Sequence, residues 1–399
     1  MSFLRAARAA LPGQSGLRQV LVAMVVVLAG LSLSCGSSYD PSKVRGPNHI
    51  AYVTLPSTGQ VLLLNIDGVT GAITSGPSTP QVANTTPTGL ALLPSRKFLY
   101  AINSRANTIS IFSIANDGTL TQTATPTPAG DGPNMAVIDP SGKYLLVTNN
   151  YGNNVSVYAI DSGSGALSEV ANSPFDANAN PTQILITPSG QYVYVTNPGI
   201  GMVTAFSFSN GVLTQVAGVP GGLPGSPYFS GAGASALAVD GSGRFLYVVN
   251  PSASNPQPYQ NTVGNVSGFN IDPGTGALSP MLGSPFYSTE GVTGPTAITV
   301  DLTGSFVFAL TPGSSYSFWS FEIDSTTGAL TAITNSPFSL AAGGLFALTD
   351  PTGDFLYVGS QSGKNIAAYT YNQNTGVPTA VSGSPFSIGV APGMMVFSQ

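Results

Sequence analysis

One histidine, one cysteine, sixteen carboxylates and eleven cations hold most of the acid–base and nucleophilic chemistry open to this chain of 399 residues. Hydrolysis needs a base to activate water and a donor for the developing oxyanion, and an anionic substrate adds a need for cationic contacts. Glu290 could be that base, with Arg105 and Lys364 as donors or anion contacts; all three fall between apolar segments, as do Asp131 and Asp176. A second chemistry is offered by Tyr228, Tyr259 and Tyr287, which stand in long Gly/Pro/Ser/Asn-rich stretches with Glu290 nearby. Exposed aromatics beside polar loop residues suit stacking on a sugar or a peptide, with Glu290 as an acceptor. His49 has no second histidine with which to share a site, and neither a metal nor a cofactor is expected.

These residues are positioned by a repeat. An apolar run recurs as Ile50–Val53, Phe98–Ala101, Tyr144–Val147, Tyr192–Val195, Phe245–Val248, Phe306–Ala309 and Phe355–Val358, its starts 48, 46, 48, 53, 61 and 49 residues apart. The runs lack polar alternation, as expected of a strand covered on both faces. Ahead of six of them lies a shorter apolar strand typified by Met135–Ile138. After each comes a third strand ending in a turn such as Asp161 to Gly165, and then a weaker fourth strand leading toward Ser-Pro-Phe. A period near 50 residues with four strands fits a propeller blade. The first repeat lacks its first strand, while the chain's last stretch, Ala391–Phe397, looks like such a strand with nothing after it. Pairing the two closes the ring without free edges, so the expected fold is all-β: a seven-bladed β-propeller of four-stranded blades over residues 46–399, closed by the C-terminal strand.

With strands A to D in each blade, the D-to-A and B-to-C connections share one face, called here the mouth face. The A-to-B and C-to-D hairpins share the other, the turn face. Arg105, Lys364, Asp131, Asp176 and Glu290 then fall on the mouth face. His49 and most of the remaining aspartates fall on the turn face, where Asp serves first as a turn residue because its carboxylate bonds nearby backbone amides. The stretched spacings of 53 and 61 residues place extra chain around blades 5 and 6. The expected ligand site is therefore there, at Tyr228, Tyr259, Tyr287 and Glu290.

The N-terminus reads as an export signal: Arg5, Arg8 and Arg18 precede an apolar run from Val20 to Leu33. The run ends at Ser32-Leu33-Ser34-Cys35-Gly36, which resembles a bacterial lipobox, with Ser32 where Leu is usual. Expected are a signal peptide over 1–34, a lipid on Cys35 and a polar tether over 35–45. The protein would then be exported to the cell envelope, periplasmic or at the cell surface, touching the membrane only through that lipid. Without residues 1–34 the chain keeps 8 basic residues against 16 acidic ones, which argues against nucleic acid as a partner. A monomer is expected.

The apolar strand, the Asp-x-x-x-Gly-Ala-Leu turn and the Ser-Pro-Phe tails at Ser173–Phe175, Ser284–Phe286, Ser336–Phe338 and Ser384–Phe386 resemble the β-propeller lactonase family, which includes 6-phosphogluconolactonase and the carboxy-muconate cyclases. Tyr194-Val195-Thr196-Asn197 is similar to the signature of YVTN-repeat propellers. The first resemblance implies hydrolysis of a sugar lactone. It also implies a Gly-Pro-Arg-His motif entering a strand A, with a Glu after the next strand B. The matching third positions here are Thr88, Asn134, Thr182, Ser235, Thr296, Leu345 and Gly393, and after strand B stand Asn103, Asn149, Asn197, Asn250, Thr311 and Ser360. None of these is Arg, His or Glu. The second resemblance implies a non-catalytic propeller that binds or scaffolds a glycan or a protein.

Overall fold

The apolar runs become the second strands of antiparallel sheets arranged as seven blades. The computed structural model describes residues 48–76, 80–218, 225–251, 264–287, 294–311, 317–340 and 344–398. Blade 3 shows the pattern: strand A Pro133–Ile138, B Tyr144–Asn149, C Asn154–Ile160 and D Leu167–Glu169, followed by the two-residue strand Phe175–Asp176, which also pairs with C. The Ser-Pro-Phe tail is thus the kink at which strand D breaks and resumes.

Closure of the ring is as the sequence implies. Strand A of blade 1 is Met395–Ser398 and strand B is His49–Leu55; they pair antiparallel with Ile50 opposite Ser398 and Val53 opposite Met395. Core clusters fill the boundaries between neighbouring blades, including the seam between blades 7 and 1, where Ala51, Val53 and Leu64 pack with Phe355, Tyr357 and Ile366. Trp319 and Phe321 are fully buried between blades 5 and 6.

Two repeated motifs are one physical device. The strand-B tyrosine of one blade donates its hydroxyl to the carbonyl of the glycine in the next blade's C-to-D turn. The pairs are Tyr52 to Gly118 (2.7 Å), Tyr100 to Gly165 (3.0 Å), Tyr194 to Gly276 (2.9 Å), Tyr247 to Gly328 (2.7 Å) and, across the seam, Tyr357 to Gly71 (3.0 Å). Burial pushes these phenols well above their ordinary pKa, so they stay neutral donors. The first strand-B aromatic closes the clamp: a Cβ on Gly276 would lie 2.2 Å from the Tyr192 ring, and its φ of +73° also favours glycine. Blade 3 has Leu146 in place of the tyrosine. Blade 6 has Phe308, which meets Tyr371 of blade 7 edge-on with ring centroids 5.0 Å apart.

Candidate functional site

On the mouth face, side chains at the entries to strands A tie neighbouring blades together, and those at the ends of strands B brace their own blade. The Thr88 hydroxyl donates to the carbonyl of Asn134 (2.9 Å), the Asn134 amide to that of Thr182 (3.3 Å) and the Ser235 hydroxyl to that of Thr296 (3.3 Å), each bond running from one blade to the next. Thr196 donates to the Ser235 carbonyl at 3.4 Å and joins blades 4 and 5. Asn103, Asn149, Asn197 and Asn250, which end their strands B, are fully buried. Their amides clasp strand C or the preceding connection: Asn103 to Ser110 (3.0 Å), Asn149 to Ser156 (3.0 Å), Asn197 to the Ala177 carbonyl (2.7 Å) and Asn250 to Ser267 (3.0 Å). Met394, just before strand A of blade 1, packs against the core between blades 3 and 4, which it reaches across the centre of the ring.

The ligand site expected around blades 5 and 6 is corrected at Tyr228. That residue is only 4% exposed and belongs to the core between blades 4 and 5. The cause is the two-residue period of a strand: Tyr228–Phe229 pairs with strand C of blade 4, Val203 opposite Tyr228 and Met202 opposite Phe229, so one ring turns in and the other out. Phe229 is the exposed one, at 51%. With Tyr287, Pro280, Pro285, Ser230 and Ser267 it lines a cavity of about 170 Å³. Tyr259 and Glu290 lie outside the described residues, as does Cys35. Arg105 and Lys364 are exposed in the B-to-C loops of blades 2 and 7, and no ion pair joins either of them to another described residue. Among the described residues no three His, Cys, Asp or Glu side chains come together to hold a metal ion.

A residue not singled out from the sequence makes the most open aromatic surface on the mouth face among the described residues. Tyr151, in the blade 3 loop Asn149–Asn154, is 73% exposed. Its ring lies against Gly132 so closely that a Cβ there would come within 2.5 Å of it. Around it are polar groups from three blades. Asn107 of blade 2 donates to the Asp131 carboxylate (3.2 Å) and accepts from the Gly132 N–H (3.0 Å). Asn180, on the connection into blade 4, donates its N–H to the Asn153 side chain (2.9 Å) and its amide to the Asn150 carbonyl (3.4 Å). Asn150 donates to the Pro181 carbonyl (3.3 Å). An aromatic face with a carboxylate and amides held in place beside it can take the C–H face of a sugar ring and bond its hydroxyls. The available signal was the string Asn149-Asn150-Tyr151-Gly152-Asn153-Asn154. Its meaning depends on Gly132, nineteen positions before Tyr151, lying beneath that ring.

The sequence matches the family described as "Lactonase, 7-bladed beta-propeller" over residues 42–182, 169–335 and 261–391. No curated protein matches it. Among solved structures, a candidate 6-phosphogluconolactonase from Bacteroides fragilis is similar with a TM-score of 0.71 at 19% identity, covering 90% of this chain and 100% of that one. Another candidate 6-phosphogluconolactonase, from Bacteroides uniformis, gives 0.70 at 17% identity over 88% and 100%. The periplasmic gluconolactonase of Pseudomonas aeruginosa gives 0.70 at 18% identity over 88% and 99%. At such identities the structural likeness shows the fold.

Proposed function

The chain belongs to the seven-bladed β-propeller lactonase family, and on that footing we propose that it recognises a sugar lactone, or the sugar acid related to it, on the Tyr151 platform. The observation that carries this reading is the exposed Tyr151 ring resting on Gly132 with Asp131, Asn107 and Asn180 anchored around it. Family membership and the gluconolactonase names of similar structures support the sugar class. Recognition comes before turnover because none of the positions that would carry the family's reactive side chains holds Arg, His or Glu, and Thr88, Asn134 and Ser235 among them are engaged between blades. A stacked ring contributes on the order of 1 kcal/mol beyond its buried area, so the affinity of such a platform is modest.

A second reading, hydrolysis with Asp131 as the base, draws on that carboxylate being exposed, oriented by Asn107 and the acid nearest the platform. Titrating the full chain with gluconolactone and with gluconate, and following lactone loss above the uncatalysed rate, tests both. Saturable binding abolished by Tyr151→Ala with an unchanged melt is expected; no binding by the full chain ends the proposal. Turnover that disappears in Asp131→Asn while binding persists would establish the hydrolase.

Export and lipidation are proposed alongside. Support comes from the Arg-led apolar run over residues 1–34, from Cys35 immediately after it, and from the periplasmic name of a similar structure. Intact-mass analysis of the mature N-terminus should find a lipid-modified Cys35, and an unmodified Cys35 would remove the anchor.

A further inference from the structure

Five blades turn from strand A to strand B through the same kind of hairpin, with glycine in the left-handed region: Gly142, Gly190, Gly243, Gly304 and Gly353, at φ between +69° and +74°. Blade 2 puts Arg96 at that position with φ +57°. A side chain there costs about 1 kcal/mol relative to glycine, and strain of this kind is a pointer to function when it stands at a cavity. Arg96 does stand at one. In blade 1 strands A and B come from opposite ends of the propeller sequence, so no hairpin joins Ser398 to His49. At this seam, on the turn face, lies a cavity of about 810 Å³.

Two cations and several polar groups share its wall with Ile50, Ile114, Ala115 and Pro351. Arg96 and Lys97 line it from blade 2, His49 and Asn48 from blade 1, Thr352 from blade 7, and Asn116 from the C-to-D turn of blade 2. His49 is 5% exposed, and its Nε2 makes no hydrogen bond; the nearest acid oxygen, Oδ2 of Asp350, is 3.8 Å away. Asp350 is committed to its own turn, accepting the Phe355 N–H (2.8 Å), the Thr352 N–H (3.1 Å) and the Thr352 hydroxyl. Asp117, on the loop beside Asn116, is exposed and accepts the Thr119 N–H (2.9 Å).

We propose that the seam cavity is a second ligand site, taking a small molecule that bears an oxyanion, a phosphate monoester or a carboxylate. The Arg96 guanidinium supplies the fork that matches such an oxyanion and Lys97 a second cation, with the His49 ring forming part of the wall. Cavities of this size accommodate a small organic anion. The site lies on the face opposite the Tyr151 platform and stands independently of the sugar-lactone reading.

Calorimetric titration of the full chain with inorganic phosphate and, separately, with citrate tests the site and distinguishes the two anion classes. Saturable binding of at least one is expected. Arg96→Gly and Lys97→Gln should each weaken it by about tenfold or more, the effect of removing one charge-assisted contact. Arg96→Gly should leave the melt unchanged, because it installs the residue that the other hairpins use. Tyr151→Ala should bind the anion as the parent does. The proposal is overturned if neither anion binds saturably, if both cation variants bind as the parent does, or if Tyr151→Ala abolishes the binding.

Discussion

The A-to-B turns of blades 2 and 6 share a backbone and differ in almost everything else. In both, the first residue donates its N–H to the aromatic that opens strand B and accepts from the fourth. The bonds are Leu93 to Phe98 (3.0 Å) and Arg96 to Leu93 (2.7 Å) in blade 2, Asp301 to Phe306 (3.0 Å) and Gly304 to Asp301 (3.0 Å) in blade 6. Blade 6 supports this loop twice over. One oxygen of buried Asp301 accepts the N–H groups of Ser305 and Phe306, both at 2.7 Å; the other accepts the N–H and hydroxyl of Thr303. Gly304 then takes φ +69° without a Cβ to strain it. Blade 2 has neither support. Leu93 offers no oxygen and is buried in the core between blades 2 and 3, while Arg96 carries a side chain through the left-handed region. The two strands it joins are held by their neighbours, so the loop keeps its shape without a cap. That leaves its exposed positions open to residues that a ligand could use.

The sharpest way to break this comparison is to remove the cap where it exists. Asp301→Ala strips four acceptor contacts from the blade 6 turn and leaves buried N–H groups without partners, a loss of about 2–4 kcal/mol. At roughly 1–2 °C per kcal/mol for a domain of this size, the melt should fall by about 2–8 °C. A shift within about 1 °C would mean that the cap is dispensable in blade 6 as well, and that blade 2 is no exception.

The sequence made the scaffold legible because each of its devices is local or periodic. The unbroken apolar run from Phe355 to Val358 could only be a doubly covered strand, and Asp324 to Gly328 could only be a turn. The unpaired ends, Ile50 and Ala391–Phe397, named each other as partners, as their register confirms. What could not be read depended on which loops from distant segments share a place. Tyr228 and Phe229 are equally aromatic, and only the pairing with Met202 and Val203 says which one turns inward. Tyr151 gains meaning from the Gly132 backbone beneath it. The seam cavity arises from a hairpin that blade 1 lacks, and a missing turn has no residue type to announce it. The tyrosine-to-glycine clamp was written twice, in Phe-Leu-Tyr-Val and in Asp-x-x-x-Gly, but its two halves belong to successive blades.

The smallest effects decide whether Arg96 is strained, and they come from exchanging one residue between the two turns. Gly304 has no atom within 4 Å of where a Cβ would stand, so Gly304→Ala meets open space and its cost is that of φ +69° alone. That cost is about 1 kcal/mol, partly offset because alanine also restricts the unfolded chain, and the expected fall in the melt is about 1 °C. In Arg96→Gly the same two terms reverse sign: relief of left-handed strain stabilises, the added freedom of the unfolded chain destabilises, and the net is within about 0.5 kcal/mol of zero. High-precision calorimetry of both variants reads the difference. A fall of several degrees in Arg96→Gly would show that the guanidinium holds the blade 2 turn by its own contacts, and the strain at this position would then need no ligand to explain it.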